Sequence, residues 1–198
     1  MTKRQKSTLD RRVALGAILA RRRDALLVTG LGSTSYDAGT MDHPSTFYLW
    51  GGMGAAAMVG LGLALAQPQR RVIVATGDGE MLMALGALAT IGAQRPRNLA
   101  IVVIDNELYS ETGMQPTHTS RGVDLAAMAK AASFARTGTV TNLKQLEAWV
   151  PRLYQSTGPV FLVAKVTSTR YPMSIRLRDG THIKNRFREA LLGAKAFD

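Results

Sequence analysis

Four short segments, ALLVT (25–29), RVIVAT (71–76), NLAIVVID (98–105) and PVFLVAKV (159–166), carry apolar residues at consecutive positions rather than at alternate ones. A strand with one wet face alternates apolar and polar side chains; a strand covered on both faces has no reason to. Stretches with helical spacing lie between these runs, so strands and helices alternate along the chain. The two patterns together predict an α/β fold: a doubly wound, mainly parallel sheet with helices on both faces.

The expected helices differ in kind. Leu9, Val13, Ile18 and Leu19 mark an amphipathic helix over 8–21, set among arginines. Segments 52–67 and 80–94 are apolar all round and rich in Ala and Gly, which predicts buried helices in close contact with their neighbours. Asp124 and Asn142 are expected N-caps of helices over 124–133 and 142–155, the second with a break or kink at Pro151. A basic helix is expected over 182–192, while 30–50 and 106–122 read as loops.

With 198 residues, 46% of them hydrophobic, the chain suits one domain, with a core over about 25–166 and basic helical segments at both ends. No run is long and apolar enough for a membrane span, and no apolar core follows the basic N-terminus as in a secretory signal. The absence of cysteine excludes disulfides, thiolate metal sites and iron–sulfur ligation, and makes the cytoplasm the expected location. The net charge of +11 gathers at the ends: Arg11, Arg12 and Arg21 to Arg23 early, then Arg170, Arg176, Arg178, Lys184, Arg186 and Arg188. Solvated faces of two terminal helices account for most of it, and a surface for an acidic partner or substrate is the alternative. No stacking aromatics interleave the charges, so nucleic acid is not an expected partner.

In parallel sheets, functional loops gather at the carboxyl ends of the strands. Gly77-Asp78-Gly79 lies at the end of one predicted strand, and Asp105-Asn106 at the end of the next. If the two strands are neighbours, an Asp and an Asn oxygen converge, with no cysteine or histidine beside them. Such hard ligands suit Mg²⁺ or Ca²⁺, and magnesium usually arrives with a phosphate. Gly77 and Gly79 would let the backbone approach an oxyanion, with N–H groups at the start of helix 80–94 pointing at it.

Gly77-Asp78-Gly79, then residues 80 to 105, then Asn106, resembles the fingerprint of thiamine diphosphate enzymes. LWGGMG (49–54) resembles the segment before the first helix of their cofactor domain, and GLGSTS (30–35) resembles a stretch near the diphosphate. The resemblance covers about residues 25–165 and implies the diphosphate-binding (PP) domain. It assigns Mg²⁺ to the side chains of Asp78 and Asn106 and the carbonyl of Leu108. It assigns thiamine diphosphate to Ser33, Gly51, Gly52, Met53, Gly77, Gly79, Tyr109 and the backbone N–H of Glu80. In this set Gly51 offers its carbonyl to the aminopyrimidine, and Met53 props the cofactor in its bent shape. Glu80 departs from the family, where a small residue often follows the GDG, and Asp105-Asn106 replaces Asn-Asn.

The family's activating Glu comes from a separate pyrimidine-binding (PYR) domain, for which this chain has no room. The chain is therefore expected to be half an active site in a hetero-oligomer, with a PYR-domain (alpha) subunit supplying that Glu. Residues 77–119, including GMQPT at 113–117, resemble the sulfopyruvate and phosphonopyruvate decarboxylase families. That implies decarboxylation of a small 2-oxoacid with a second anionic group. Glu111 and His118, in the loop after Asn106, are the titratable candidates for protonating the product; His43 and His182 read as structural. A carboligase subunit of the acetolactate synthase type is one alternative, and a basic nucleotide- or nucleic-acid-binding module with GDG as a turn is another.

Overall fold

The computed structural model describes residues 7–49, 51–174 and 178–197. In chain order the elements are α1 (Arg11–Leu19), β1 (Leu26–Thr29), α2 (Ser33–Ala38), β2 (Thr46–Tyr48), α3 (Ala56–Ala66), β3 (Val72–Gly77), α4 (Asp78–Met83) and α5 (Gly86–Gln94). They continue with β4 (Leu99–Asp105), β5 (Leu108–Tyr109), β6 (Gln115–Pro116), α6 (Leu125–Ala131), β7 (Arg136–Val140), α7 (Leu143–Gln155), β8 (Val160–Lys165) and α8 (Gly180–Leu192). Six strands form a parallel sheet in the order β2-β1-β3-β4-β8-β7, and β5 pairs antiparallel with β6 as a small separate ribbon.

The register fixes the site. Gly77 stands opposite Ile104 in the central β3–β4 pair, so both strands end level. Asp78 follows one and Asn106 lies just past the other. The sheet buries different side chains on its two faces. Leu27, Ile73, Val102 and Leu162 meet α1 and α7 through Leu15, Ile18, Leu146 and Leu153. Val28, Val74, Ile101 and Phe161 meet α3, α5 and α6 through Leu61, Ile91 and Ala129. Small residues set the second face: a Cβ at Gly60 would come within 2.2 Å of Val74 Cγ2, and one at Gly92 within 1.6 Å of the Ala132 carbonyl oxygen. Helix α8 lies over the end of the sheet beside β2, with Ile183 and Phe187 buried and the Phe47 and Phe187 rings 5.5 Å apart.

The parallel sheet and the four apolar strands follow the expectation. Other elements differ for identifiable reasons. Segment 30–50 holds α2 and β2, whose polar helix STSYDA and three-residue strand give too little periodicity to read. β7, RTGTV, is a polar edge strand with only Val140 fully buried. The expected helix 80–94 is interrupted at Ala84-Leu85, and that over 52–67 begins only at Ala56, after Gly54 with φ +87°. Pro151 does not break α7, because tertiary contacts hold the turn beyond it: Leu153 is buried, its carbonyl accepts from Arg71 Nε at 2.6 Å, and Tyr154 Oη donates to the Ile18 carbonyl at 2.8 Å.

The basic ends are not all solvated. Arg11 and Arg22 are buried, and burial lowers the Arg22 guanidinium to about 10. Arg186 forms a paired contact with Asp42 at 2.7 and 3.0 Å. Arg176 lies outside the described residues. Among the described residues no helix is long and apolar enough to cross a membrane.

Candidate active site

A crevice opens where β3 and β4 end. Its lining includes Leu31 and Ser33 from the loop after β1, Met53 from the segment before α3, Gly77 to Glu80, Asn106, and Leu108 to Glu111. Asp78 is 2% exposed. Its Oδ2 accepts from Thr117 Oγ1 at 2.5 Å and, more weakly, from Thr119 Oγ1 at 3.4 Å. Thr119 Oγ1 also reaches Asp105 Oδ1 at 2.9 Å. Burial, and then the charge of Asp105, push the Asp78 carboxyl up to about 7. Asp105 is held by Lys165, whose Nζ lies 2.7 Å from Oδ2 and 2.9 Å from Glu107 Oε1. Two buried carboxylates thus sit together with the Lys165 ammonium on the Asp105 side, an arrangement that favours another positive charge.

Asn106 is half-buried: its side-chain oxygen accepts from the Leu108 N–H at 3.0 Å and its amide donates to Ser110 Oγ at 2.9 Å. In the β5–β6 ribbon the Tyr109 carbonyl accepts from the Met114 N–H, so strand alternation turns the Leu108 carbonyl the other way. Among the described residues no three His, Cys, Asp or Glu form a metal-ligand group, so a cation here would need a mixed set of carboxylate, amide and carbonyl oxygens.

The glycines behave differently from one another. A Cβ at Gly77 would meet nothing within 4 Å and would project into the open crevice. A Cβ at Gly79 would lie 2.5 Å from the Tyr109 ring, which packs over that position. Because α4 is only six residues long, the axial dipole expected of one helix over 80–94 shrinks to local N–H groups. Glu80 also departs from the expectation of a backbone-only role. Its carboxylate is buried, accepting from the Leu31 N–H, the Gly54 N–H and Thr76 Oγ1. Burial raises its pKa, and these donors work in the opposite direction.

Ser33, Met53, Gly77 to Glu80, Asn106, Leu108, Tyr109 and Glu111 therefore meet around one crevice. Gly51 and Gly52 are not among its lining residues, and Gly51 is exposed. Glu111 and His118 are separated: Glu111 leans over Gly32 beside Ser33, whereas exposed His118 borders a shallow apolar depression with Met53, Tyr109 and Met128. Sequence reasoning missed Thr117, Thr119 and Lys165. The first two lie in the PTHT stretch after GMQ, and the third is a lone cation at the carboxyl end of an apolar strand, a signal that could have found it. It also missed Arg11, which lines the crevice, donates to the Ser33 carbonyl at 3.3 Å and pairs with buried Asp37 at 2.6 Å.

Residues 30–164 match the family described as thiamine pyrophosphate enzyme, C-terminal TPP binding domain. The chain belongs to that family. It is 38% identical to the sulfopyruvate decarboxylase subunit beta of Methanothermobacter thermautotrophicus, over 94% of this chain and 97% of that one. It is 42% identical to the phosphonopyruvate decarboxylase of Streptomyces viridochromogenes, over 71% of this chain but 35% of the longer relative. A solved structure of a Mycobacterium smegmatis protein, assigned as a thiamin diphosphate-dependent enzyme, shares the fold with a TM-score of 0.70. It is 23% identical and covers 85% of this chain and 35% of its own.

Proposed function

We propose that this chain, as one PP domain over 1–198, is the cofactor-holding subunit of a thiamine diphosphate- and Mg²⁺-dependent decarboxylase. Its substrate is a small 2-oxoacid with a second anionic group, such as sulfopyruvate or phosphonopyruvate, and it works in the cytoplasm as part of a hetero-oligomer. The observation that carries the reading is the convergence of Asp78, Asn106, Met53 and Ser33 on one crevice, within the stretch that matches the family. The two relatives named above add the substrate class.

The donor set fits the cofactor. Asp78 and Asn106, with the Leu108 carbonyl, are hard oxygen donors for Mg²⁺, and the nearby carboxylate pair favours a cation. The open space beside Gly77 and the Ser33 side of the crevice suit the diphosphate; Met53 suits the prop, and Gly51 and Gly52 the rim at the pyrimidine end. Bound thiamine diphosphate supplies an electron sink for cleaving the bond between a carbonyl carbon and its carboxylate. The chain's own residues orient and enclose. Glu111, an exposed anion beside Ser33, must turn outward when a diphosphate occupies that end. His118 and Glu111 are the groups that can hold a proton for the product, on opposite sides of Tyr109.

A partner is needed for two reasons. The crevice is open on one side and holds a cavity of about 100 Å³, against the roughly 300–1,000 Å³ of a complete ligand pocket. Beside it, Met83 is 68% and Met128 39% exposed, an apolar rim that a PYR-domain (alpha) subunit would cover while bringing the activating Glu. The test is CO₂ release from sulfopyruvate, phosphonopyruvate and pyruvate with thiamine diphosphate and Mg²⁺, with and without that subunit. Activity is expected on the anionic substrates, only in the assembly, and abolished by EDTA. Full activity from the isolated chain would remove the half-site reading, and carboligation products from pyruvate would change the reaction class.

A further inference from the structure

Glu80 is an acid at the position where the resemblance leads one to expect a small residue, in the wall of the crevice, and its charge is spent on protein donors. Oε2 accepts from the Leu31 N–H at 3.1 Å and Thr76 Oγ1 at 2.8 Å, and Oε1 from the Gly54 N–H at 3.2 Å. The Ala56 N–H is a further donor to it. These groups belong to three separate segments: the loop from β1 that carries Ser33, the turn that carries Met53, and β3 itself. Gly30 makes the arrangement possible, since a Cβ there would fall 1.6 Å from Oε2. We propose that Glu80 is a positioning residue: its carboxylate straps the Ser33 loop and the Met53 turn to the start of α4 and so sets the width of the cofactor crevice.

The chemistry of the side chain supports this. An ionised carboxylate only accepts, and here every neighbour donates. An amide at this place would turn its NH₂ toward at least one N–H and could satisfy only part of the set. A small residue would leave the Leu31 and Gly54 N–H groups without their shared acceptor. The loops hold different parts of the expected ligand, Ser33 the diphosphate and Met53 the bend. A shared strap makes the two loops open and close together, which is the preorganisation that a bound cofactor exploits. Glu80 touches none of the reacting atoms and acts through the loops alone.

The inference rests on the crevice being the cofactor site, and its test separates the two ideas. Hydrogen exchange on the full chain without cofactor should show the Leu31 and Gly54 amides protected to a similar degree. In Glu80→Gln both should lose protection together, while amides of β3 and β4 keep theirs. Thiamine diphosphate affinity, measured by calorimetry with Mg²⁺ on the chain assembled with its partner subunit, should fall about tenfold, or about 1.4 kcal/mol. A general loss of stability would instead raise exchange across the sheet. Gly30→Ala, which displaces the carboxylate without changing it, should reproduce the joint loss and decides the matter if Glu80→Gln does not fold. Unprotected Leu31 and Gly54 amides in the natural chain, or natural cofactor affinity in either variant, would overturn the strap. Failure of the natural assembly to bind thiamine diphosphate would overturn the functional reading and leave the exchange result standing.

Discussion

Asp37 and Asp78 are buried alike, 1% and 2% exposed, yet their surroundings are opposite. Asp37 meets two guanidiniums, Arg11 at 2.6 Å and Arg12 at 3.0 Å. Burial drives its carboxyl up and the two arginines pull it back. Asp78 meets two hydroxyls and a second carboxylate, and the nearest ammonium is committed to that neighbour. The first is a completed ion-pair cluster that holds α1 against α2. The second is a negative centre that the fold leaves incompletely neutralised. Burial is the same for both; the difference between them is charge balance, with two guanidiniums on Asp37 and only hydroxyls beside a second carboxylate on Asp78.

The contrast can be broken most sharply at Asp37. Asp37→Ala leaves the Arg11 guanidinium buried without its carboxylate and should cost about 3–5 kcal/mol, read from the denaturant midpoint. Asp78→Ala should leave that midpoint unchanged or raised, because it removes a repulsive carboxylate. It should weaken thiamine diphosphate binding in the presence of Mg²⁺ at least about a hundredfold, or about 2.7 kcal/mol, by calorimetry on the assembled protein. If the two variants unfold alike, the distinction fails.

Protons provide a subtler probe. The Asp78 carboxyl sits at about 7 in the folded chain against an ordinary 3.8. A raised folded value means that the folded state holds the extra proton, so this group's contribution to metal-free stability is full below about pH 4 and is lost as pH rises through about 7. A metal must displace the same proton. Mg²⁺ affinity should therefore fall about tenfold per pH unit below 7 and level off above it, and Asp78→Asn should flatten the profile. The smallest effect is expected at Met53, which is only half-buried. Met53→Ala should cost under about 2 kcal/mol of stability, less than a fully buried Met. Turnover per folded protein should drop roughly fivefold, or about 1 kcal/mol. Unchanged turnover would make Met53 packing alone.

Much of this was legible in the chain because its strongest signals lie at the centre of the sheet. β3 and β4 are buried on both faces, so their apolar runs are unbroken, and Asp78 and Asn106 stand out where the runs stop. β2 and β7 were illegible for the converse reason: they are edges, short or polar, with little to bury. The break at Ala84-Leu85 was hidden because EMLMALGALATIG is apolar on every side and carries no phase. Glu80 reads as an awkward acid beside a diphosphate until its partners are known, and those lie 49 and 26 residues upstream. Lys165 takes its meaning from Asp105, its partner across the sheet, and the threonines of PTHT from Asp78, which the loop after β6 reaches.

Helix α8 has a consequence in time as well as in space. It lies beside β2, the end strand of the sheet among the described residues, and it leaves the ribosome after all six strands of the sheet. Until then that edge is open to any extended chain, and neighbouring copies at high local concentration could pair there. Two features limit the interval of risk: β2 is only three residues long, and Phe187 closes on Phe47 as soon as the helix forms. Synthesis halted before α8 should therefore yield aggregates seeded at β2 more readily than inactive monomers.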